Sequence, residues 1–258
     1  MTEIRLCHLY PRELNIYADR GNIAVLAQRA AGRGHVLHVD EVGLGDVVTP
    51  GTHDLYYLGG GQDRDQMVIA ADLRTKAPSL AESLADGAAL LAVCGGYQLA
   101  GQGYTSAAGA RMEGIGLLDV DTIAGDTRLI GNLAIEAELD GDHQVLVGFE
   151  NHAGRTRLGP NARPLGRVIA GHGNNGDDGG EGAVHGRLIG TYLHGPLLPK
   201  NPWLADRLLS WAISHSTGRP AEPLAPIDDC LEEAAHAVAL KRATEGGERE
   251  RPLGRRRR

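Results

Sequence analysis

The stretch LLAVCGGYQLAG, residues 90–101, decides the fold. With the two alanines before it, its first half is an apolar run, 88–93, that has no alternating polar face and is short for a helix. Such a run reads as a strand buried on both sides, as in a parallel sheet. Gly95 and Gly96 then allow a turn too tight for side chains, and residues 97–102 begin a helix. Cys94 therefore stands on a sharp strand-to-helix turn at the carboxyl edge of a sheet, beside free N–H groups that favour thiolate over thiol. The same N–H groups, that of Gly95 first, can receive the negative oxygen that forms when a thiolate attacks a carbonyl. A lone cysteine ending a strand is more often a small core residue. The double glycine sets this one apart.

Upstream, strands are expected at 4–9, 36–39 and 54–58. A helix over 19–33 carries Ile23, Leu26, Ala27 and Ala30 at spacings of three and four and is stopped by Gly32 and Gly34. The third strand runs into Gly59, Gly60, Gly61 and Gln62, and helices follow over 64–76 and 80–85. Strands alternating with helices predict an α/β domain with a mostly parallel central sheet. Loops that follow successive parallel strands open at one edge, so the glycine cluster reads best as a second oxyanion donor facing Cys94. A phosphate cradle is the weaker reading because no GxxxxGK[ST] is present, and a plain tight turn is the third.

Downstream the texture changes. Residues 115–123, 129–139 and 144–149 alternate apolar and polar side chains between Gly and Asp, the pattern of antiparallel strands. Arg128 and Asn132 flank one hydrophobic step, and Glu150, Asn151 and His152 are expected to end the last strand. GHGNNGDDGGEG, residues 171–182, reads as an exposed flexible loop. Residues 187–193 return to the sheet and end at His194, just before Gly195 and Pro196. A histidine at that edge is placed to serve Cys94 as a base. Helices are expected at 203–213 and 231–240. The reading is one domain over 1–243 with a disordered basic tail over 244–258.

A chain of 258 residues can bury a full core, and with one Phe and two Trp that core must be built mainly from Ala, Leu, Val and Ile. The formal charge of −7 argues against a general nucleic-acid binder. The terminal RPLGRRRR reads as a solvated tail, or else as a contact for a partner protein, anionic lipid or nucleic acid. Cys7, Cys94 and Cys230 are odd in number and widely spaced, with no CxxC pair for zinc or redox work, so free thiols and no metal are expected. The charged N-terminus does not read as a signal peptide, and no run approaches the length of a membrane span. The expected location is the cytoplasm.

In this order the parts resemble the class I, triad-type glutamine amidotransferases. CGGYQ matches their Cys-x-Gly-x-Gln elbow, and VGFENHAGRT and TYLHGP are similar to the cobyric acid synthase branch. LYPRELNIYADRGNI, LGGGQDRDQ and RLIGN are more similar still to the glutamine-hydrolysing subunits of lipid II isoglutaminyl synthase, over approximately residues 4–215. The resemblance implies a three-layer, flavodoxin-like α/β domain. Its ammonia would go to a Mur-ligase-like (MurT-like) synthetase in a heterodimer, working where lipid II is made, at the inner face of the membrane. No cofactor is expected in this chain, with ATP and Mg on the partner. Carried over, Cys94 is the nucleophile and His194 the base. Arg128 binds the α-carboxylate of glutamine, Gly60 and Gly95 form the oxyanion hole, and Gln98 helps hold substrate. Many relatives place a Glu two residues after the His, but here Pro196 stands there, which implies a Cys/His dyad, with Glu150 a candidate acceptor. Other acceptors for the ammonia, such as a corrinoid carboxylate, and a non-catalytic regulatory subunit are the competing readings.

Overall fold

A computed structural model of the protein describes residues 1–14 and 20–246. In chain order the strands and helices are β1 (Glu3–Leu9), α1 (Arg20–Ala31), β2 (Val36–Val42), β3 (Leu55–Leu58), α2 (Asp63–Ala85), β4 (Ala89–Val93) and α3 (Gly95–Ala100). Then come β5 (Gly103–Thr105), β6 (Arg111–Glu113), β7 (Val120–Leu139), β8 (Asp142–Leu158) and β9 (Gly166–Ala170). The chain continues through β10 (Gly180–Glu181), β11 (Ala183–His185), β12 (Leu188–Thr191), α4 (Pro202–Thr217) and α5 (Cys230–Gly246).

Two six-stranded sheets divide the chain. The first has the order β11-β12-β4-β3-β1-β2, and only its edge strand β11 runs antiparallel. Every residue of β3, β4 and β12 is buried, as continuous apolar runs in a covered parallel sheet require. The second sheet joins β10, β9, β7, β5 and β6, with β8 paired to β7 along a long hairpin. The antiparallel strands of the middle third thus form a sheet of their own rather than extending the central one. One antiparallel bridge, Phe149 to His194, ties the hairpin to the end of β12.

Near the N-terminus of the fold, Arg29 of α1 is buried and pairs with Asp206 of α4 and with Asp229, just ahead of α5. It gathers three separate parts of the chain, and its two carboxylates supply the charge that burial would otherwise leave unpaired. Among the described residues no helix is long and apolar enough to cross a membrane.

Four local expectations change. The two helices at 64–76 and 80–85 are one, α2, which continues through Pro78. Proline removes one helical hydrogen bond, but Leu73 and Leu80 are buried on either side of it and hold the axis together. Strands 115–123 and 129–139 become one strand, β7, which starts only at Val120 and has a bulge between Ala124 and Leu129. Glu150, Asn151 and His152 lie in mid-strand, because β8 runs on to Leu158. Residues 171–182 are pinned rather than loose. Asn174 is buried, and its side chain accepts from the Gly182 N–H at 3.0 Å and donates to the Gly182 carbonyl at 2.9 Å. The loop's glycines make tight turns at positive φ, so composition alone overstated its freedom. The tail from 247 onward and residues 15–19, with their share of the opening motif, lie outside the described residues.

Candidate active site

β4 ends at Val93, and Cys94 follows with φ 53° and ψ −107°, a backbone conformation strained for any residue with a side chain. Two hydrogen bonds and the immediate start of α3 impose it. The Cys94 N–H donates to the Thr191 carbonyl at 2.8 Å, the Gly96 N–H donates to the Gly59 carbonyl at 3.0 Å, and α3 must begin at once. A Cβ on Gly96 would stand 2.4 Å from the Leu58 carbonyl oxygen, and one on Gly95 would stand 2.9 Å from that of Gly61. The double glycine is therefore a packing requirement, since the elbow is pressed against the glycine loop after β3. The Gly95 N–H has no protein acceptor among the described residues and is free to donate to an oxyanion.

β12 lies beside β4 in parallel register, Thr191 opposite Val93, so Cys94 and His194 both follow the carboxyl ends of neighbouring strands. His194 Nδ1 lies 2.7 Å from the Tyr192 carbonyl. A carbonyl only accepts, so Nδ1 carries the proton and Nε2 is left as the basic nitrogen. Burial lowers the His194 pKa to about 4, which keeps the ring neutral near pH 7. The Tyr192 carbonyl thus fills the orienting role that Pro196 cannot. The Glu150 carboxylate is engaged elsewhere, accepting from the His172 N–H at 2.7 Å and from the Gly173 N–H at 3.0 Å.

A cleft of about 470 Å³ opens on this edge and is lined in part by Cys94, Gly61, Gln66, Gln98, Arg128 and His152. His194, 1% exposed, does not line the cleft but sits inside the protein. Gly60 is buried, and the glycine loop presents Gly61 and Gln62 to the cleft instead. Arg128 stands at the β7 bulge. Its Nε donates to Asn151 Oδ1 and its Nη2 to the Asn151 carbonyl, both at 2.8 Å, which aims the guanidinium while leaving Nη1 uncommitted among the described residues. That arrangement suits a substrate carboxylate.

Gln98 faces the cleft from the helix after the elbow, but its amide is committed. Its Oε1 accepts from Gln66 Nε2 at 3.1 Å and its Nε2 donates to Tyr192 Oη at 3.1 Å. Gln98 therefore braces the wall. Gln66 and Tyr192 were not singled out by the sequence reading, and His152, named there only with Glu150 and Asn151, stacks on Tyr192 at 3.6 Å between ring centroids. Gln66 and Tyr192 lie within motifs that reading did use, LGGGQDRDQ and TYLHGP, so a helical turn counted from Gln62 would have found Gln66. Among the described residues no group of three His, Cys, Asp or Glu side chains is arranged to hold a metal ion.

Residues 5–202 match the CobB/CobQ-like glutamine amidotransferase domain. The chain belongs to that family. This amidotransferase is 40% identical over 243 residues to the lipid II isoglutaminyl synthase (glutamine-hydrolyzing) subunit GatD of Staphylococcus aureus, covering 94% of this chain and 97% of that one. The subunit of the same name from Streptococcus pneumoniae is 40% identical over 218 residues, 84% of this chain and 83% of its own. Among solved structures, PurLQS of Thermotoga maritima overlays with a TM-score of 0.53 at 15% identity, over 93% of this chain and 100% of that chain. At that identity the likeness is one of fold. The CobB/CobQ-like amidotransferase fold accounts for the elbow, the parallel sheet and the carboxyl-edge site together.

Proposed function

We propose that this chain hydrolyses L-glutamine at Cys94 and hands the ammonia to a Mur-ligase-like, ATP-dependent synthetase, which amidates the D-glutamate of the lipid II stem peptide. The observation that carries the chemistry is the register of β4 and β12, which brings a strained cysteine and a neutral, oriented histidine to one edge. The identity to two GatD subunits over most of the chain supports the pathway.

In the proposed reaction His194 Nε2 takes the Cys94 thiol proton as sulfur attacks the side-chain carbonyl carbon of glutamine. The oxygen becomes an anion and draws on the Gly95 N–H, while Arg128 holds the α-carboxylate. Collapse breaks the C–N bond, and the imidazolium returns its proton to the departing nitrogen, so ammonia leaves and a thioester remains. Water, activated by the same imidazole, adds to the thioester; glutamate leaves and the thiol is restored. ATP and Mg belong to the partner in this scheme, and the partner works at the membrane face where lipid II is made.

The test is ammonia release from L-glutamine by the full chain, alone and with the synthetase, ATP and lipid II. Release that requires Cys94 and is matched by amidated lipid II is expected. Hydrolysis without amidation would move the acceptor elsewhere, and no release under either condition would refute catalysis.

A further inference from the structure

We propose that Glu181 is a positioning residue of this site: through Thr191 it fixes the strand end whose two carbonyls hold the nucleophile and the base. The inference rests on the hydrolysis proposed above.

Glu181 sits on the short edge strand β10 and is 0% exposed. The Thr191 hydroxyl donates to its two carboxyl oxygens at 3.1 Å each. Thr191 Oγ1 in turn accepts the Leu193 N–H at 3.0 Å. That N–H shares a peptide unit with the Tyr192 carbonyl, which accepts His194 Nδ1 at 2.7 Å. An unbroken chain thus runs from carboxyl to hydroxyl to peptide to imidazole. A second branch starts at the same carboxyl, where Oε1 accepts the Tyr192 N–H at 2.6 Å. The peptide carrying that N–H also carries the Thr191 carbonyl, which accepts the Cys94 N–H at 2.8 Å.

Both catalytic residues therefore hang on peptides anchored by one buried carboxyl, and hydrogen bonds in series polarise one another. Burying a carboxyl is costly, and an apolar side chain would hold a plain strand edge at lower cost. Glu150, Tyr97, Asp178, His152 and Lys200 are the other ionisable groups that feel or face this region, and the hydrogen bonds of their side chains lie outside both branches. In the triad pattern the orienting carboxylate touches the imidazole directly. Here Pro196 excludes that, and the carboxyl acts through one hydroxyl and one peptide.

The experiment uses the full chain with its synthetase partner and compares wild type, Thr191→Val, Thr191→Ser and Glu181→Gln. Valine keeps the shape of threonine and removes the hydroxyl link. Expected for Thr191→Val is a fall in kcat for glutamine hydrolysis of about 10- to 100-fold, the usual loss for an outer partner of a functional group, with KM little changed. Thr191→Ser restores most of it, and Glu181→Gln falls in between. A second readout needs no glutamine: the pH profile of Cys94 alkylation by iodoacetamide, followed on the Cys94 peptide so that exposed Cys230 does not contribute. A loosened imidazole moves its midpoint to higher pH by about half a unit or more. A purely structural role would lower Tm and leave kcat and that midpoint alone. Wild-type values of kcat and midpoint in Thr191→Val, or a Thr191→Ser as impaired as Thr191→Val, would overturn the inference. If the valine variant does not fold, Glu181→Gln decides by the same two readouts. Wild-type protein that hydrolyses no glutamine would instead overturn the proposed function, while the alkylation profile still tests the positioning.

Discussion

Replacing Cys94 by glycine should remove catalysis yet escape the usual penalty of a buried glycine. At φ 53° and ψ −107° the residue occupies a region that costs a side-chain-bearing residue about 1–3 kcal/mol. Glycine takes the conformation freely because it is the mirror image of an ordinary extended one. Cys94→Ala is the proper reference, since it also lacks the sulfur but keeps the Cβ and the strain. At an unstrained buried position, going from alanine to glycine loses about 0.5–1 kcal/mol of backbone entropy and about 0.8 kcal/mol of buried methyl. That predicts a glycine variant about 1.5 kcal/mol less stable. Relief of strain offsets this, leaving Cys94→Gly between about 0.5 kcal/mol less stable and about 1.5 kcal/mol more stable than Cys94→Ala. The upper figure corresponds to a Tm higher by about 3–6 °C for a chain of this size. Urea unfolding of both variants, checked for equal m-values, measures the difference, and both should release no ammonia from glutamine. A glycine variant less stable than the alanine variant by 1 kcal/mol or more would show that the elbow is not strained and refute the reasoning.

Arg128→Ala should raise KM for glutamine by about 10- to 100-fold with a smaller effect on kcat, because a charge-assisted hydrogen bond to the substrate carboxylate contributes about 1.5–3 kcal/mol; an unchanged KM would remove Arg128 from substrate binding. His194 must be neutral to act as base, and burial lowers its pKa to about 4, so the acid limb of kcat/KM should fall well below 6.5. A limb at 6.5 or above in the pH profile would contradict this. Glu181 is shifted the opposite way, from an ordinary 4.5 up to about 8, chiefly by burial. The folded state then holds a proton that the unfolded chain has released, so this group's contribution to stability is greatest below pH 4.5 and declines as pH rises towards about 8. Glu181→Gln does not titrate, so its stability relative to wild type should grow across that range, and a difference independent of pH would rule the shift out.

Much of the fold could be read from the sequence because burial on both faces writes a plain signal. The runs at β3 and β4 have no polar alternation to misread, and the glycines after each are demanded by the close approach of two loops. The places of Cys94, His194 and Arg128 in the fold were legible for the same reason: each stands where a strong pattern stops or bulges. The rest was hidden by chemistry that leaves no periodicity. His194 is oriented by a main-chain carbonyl, which any residue at 192 would supply, so nothing in the sequence marks it. Glu181 sits among glycines in GGEG and reads as part of a polar loop, although packing buries it completely. The break expected between 76 and 80 spans Pro78, which local propensity disfavours inside a helix, and the burial of Leu73 and Leu80 overrides it.

The bridge between Phe149 and His194 gives the β7–β8 hairpin the character of a lever. Two residues past that fulcrum Asn151 grips Arg128, proposed above to hold the substrate's carboxylate, while the fulcrum itself is the backbone of His194, the proposed base. A tilt of the ribbon would swing the carboxylate holder through a longer arc than the imidazole. On the proposed roles, a load on the far end of that ribbon would therefore change how tightly glutamine is held more than how fast it is cut.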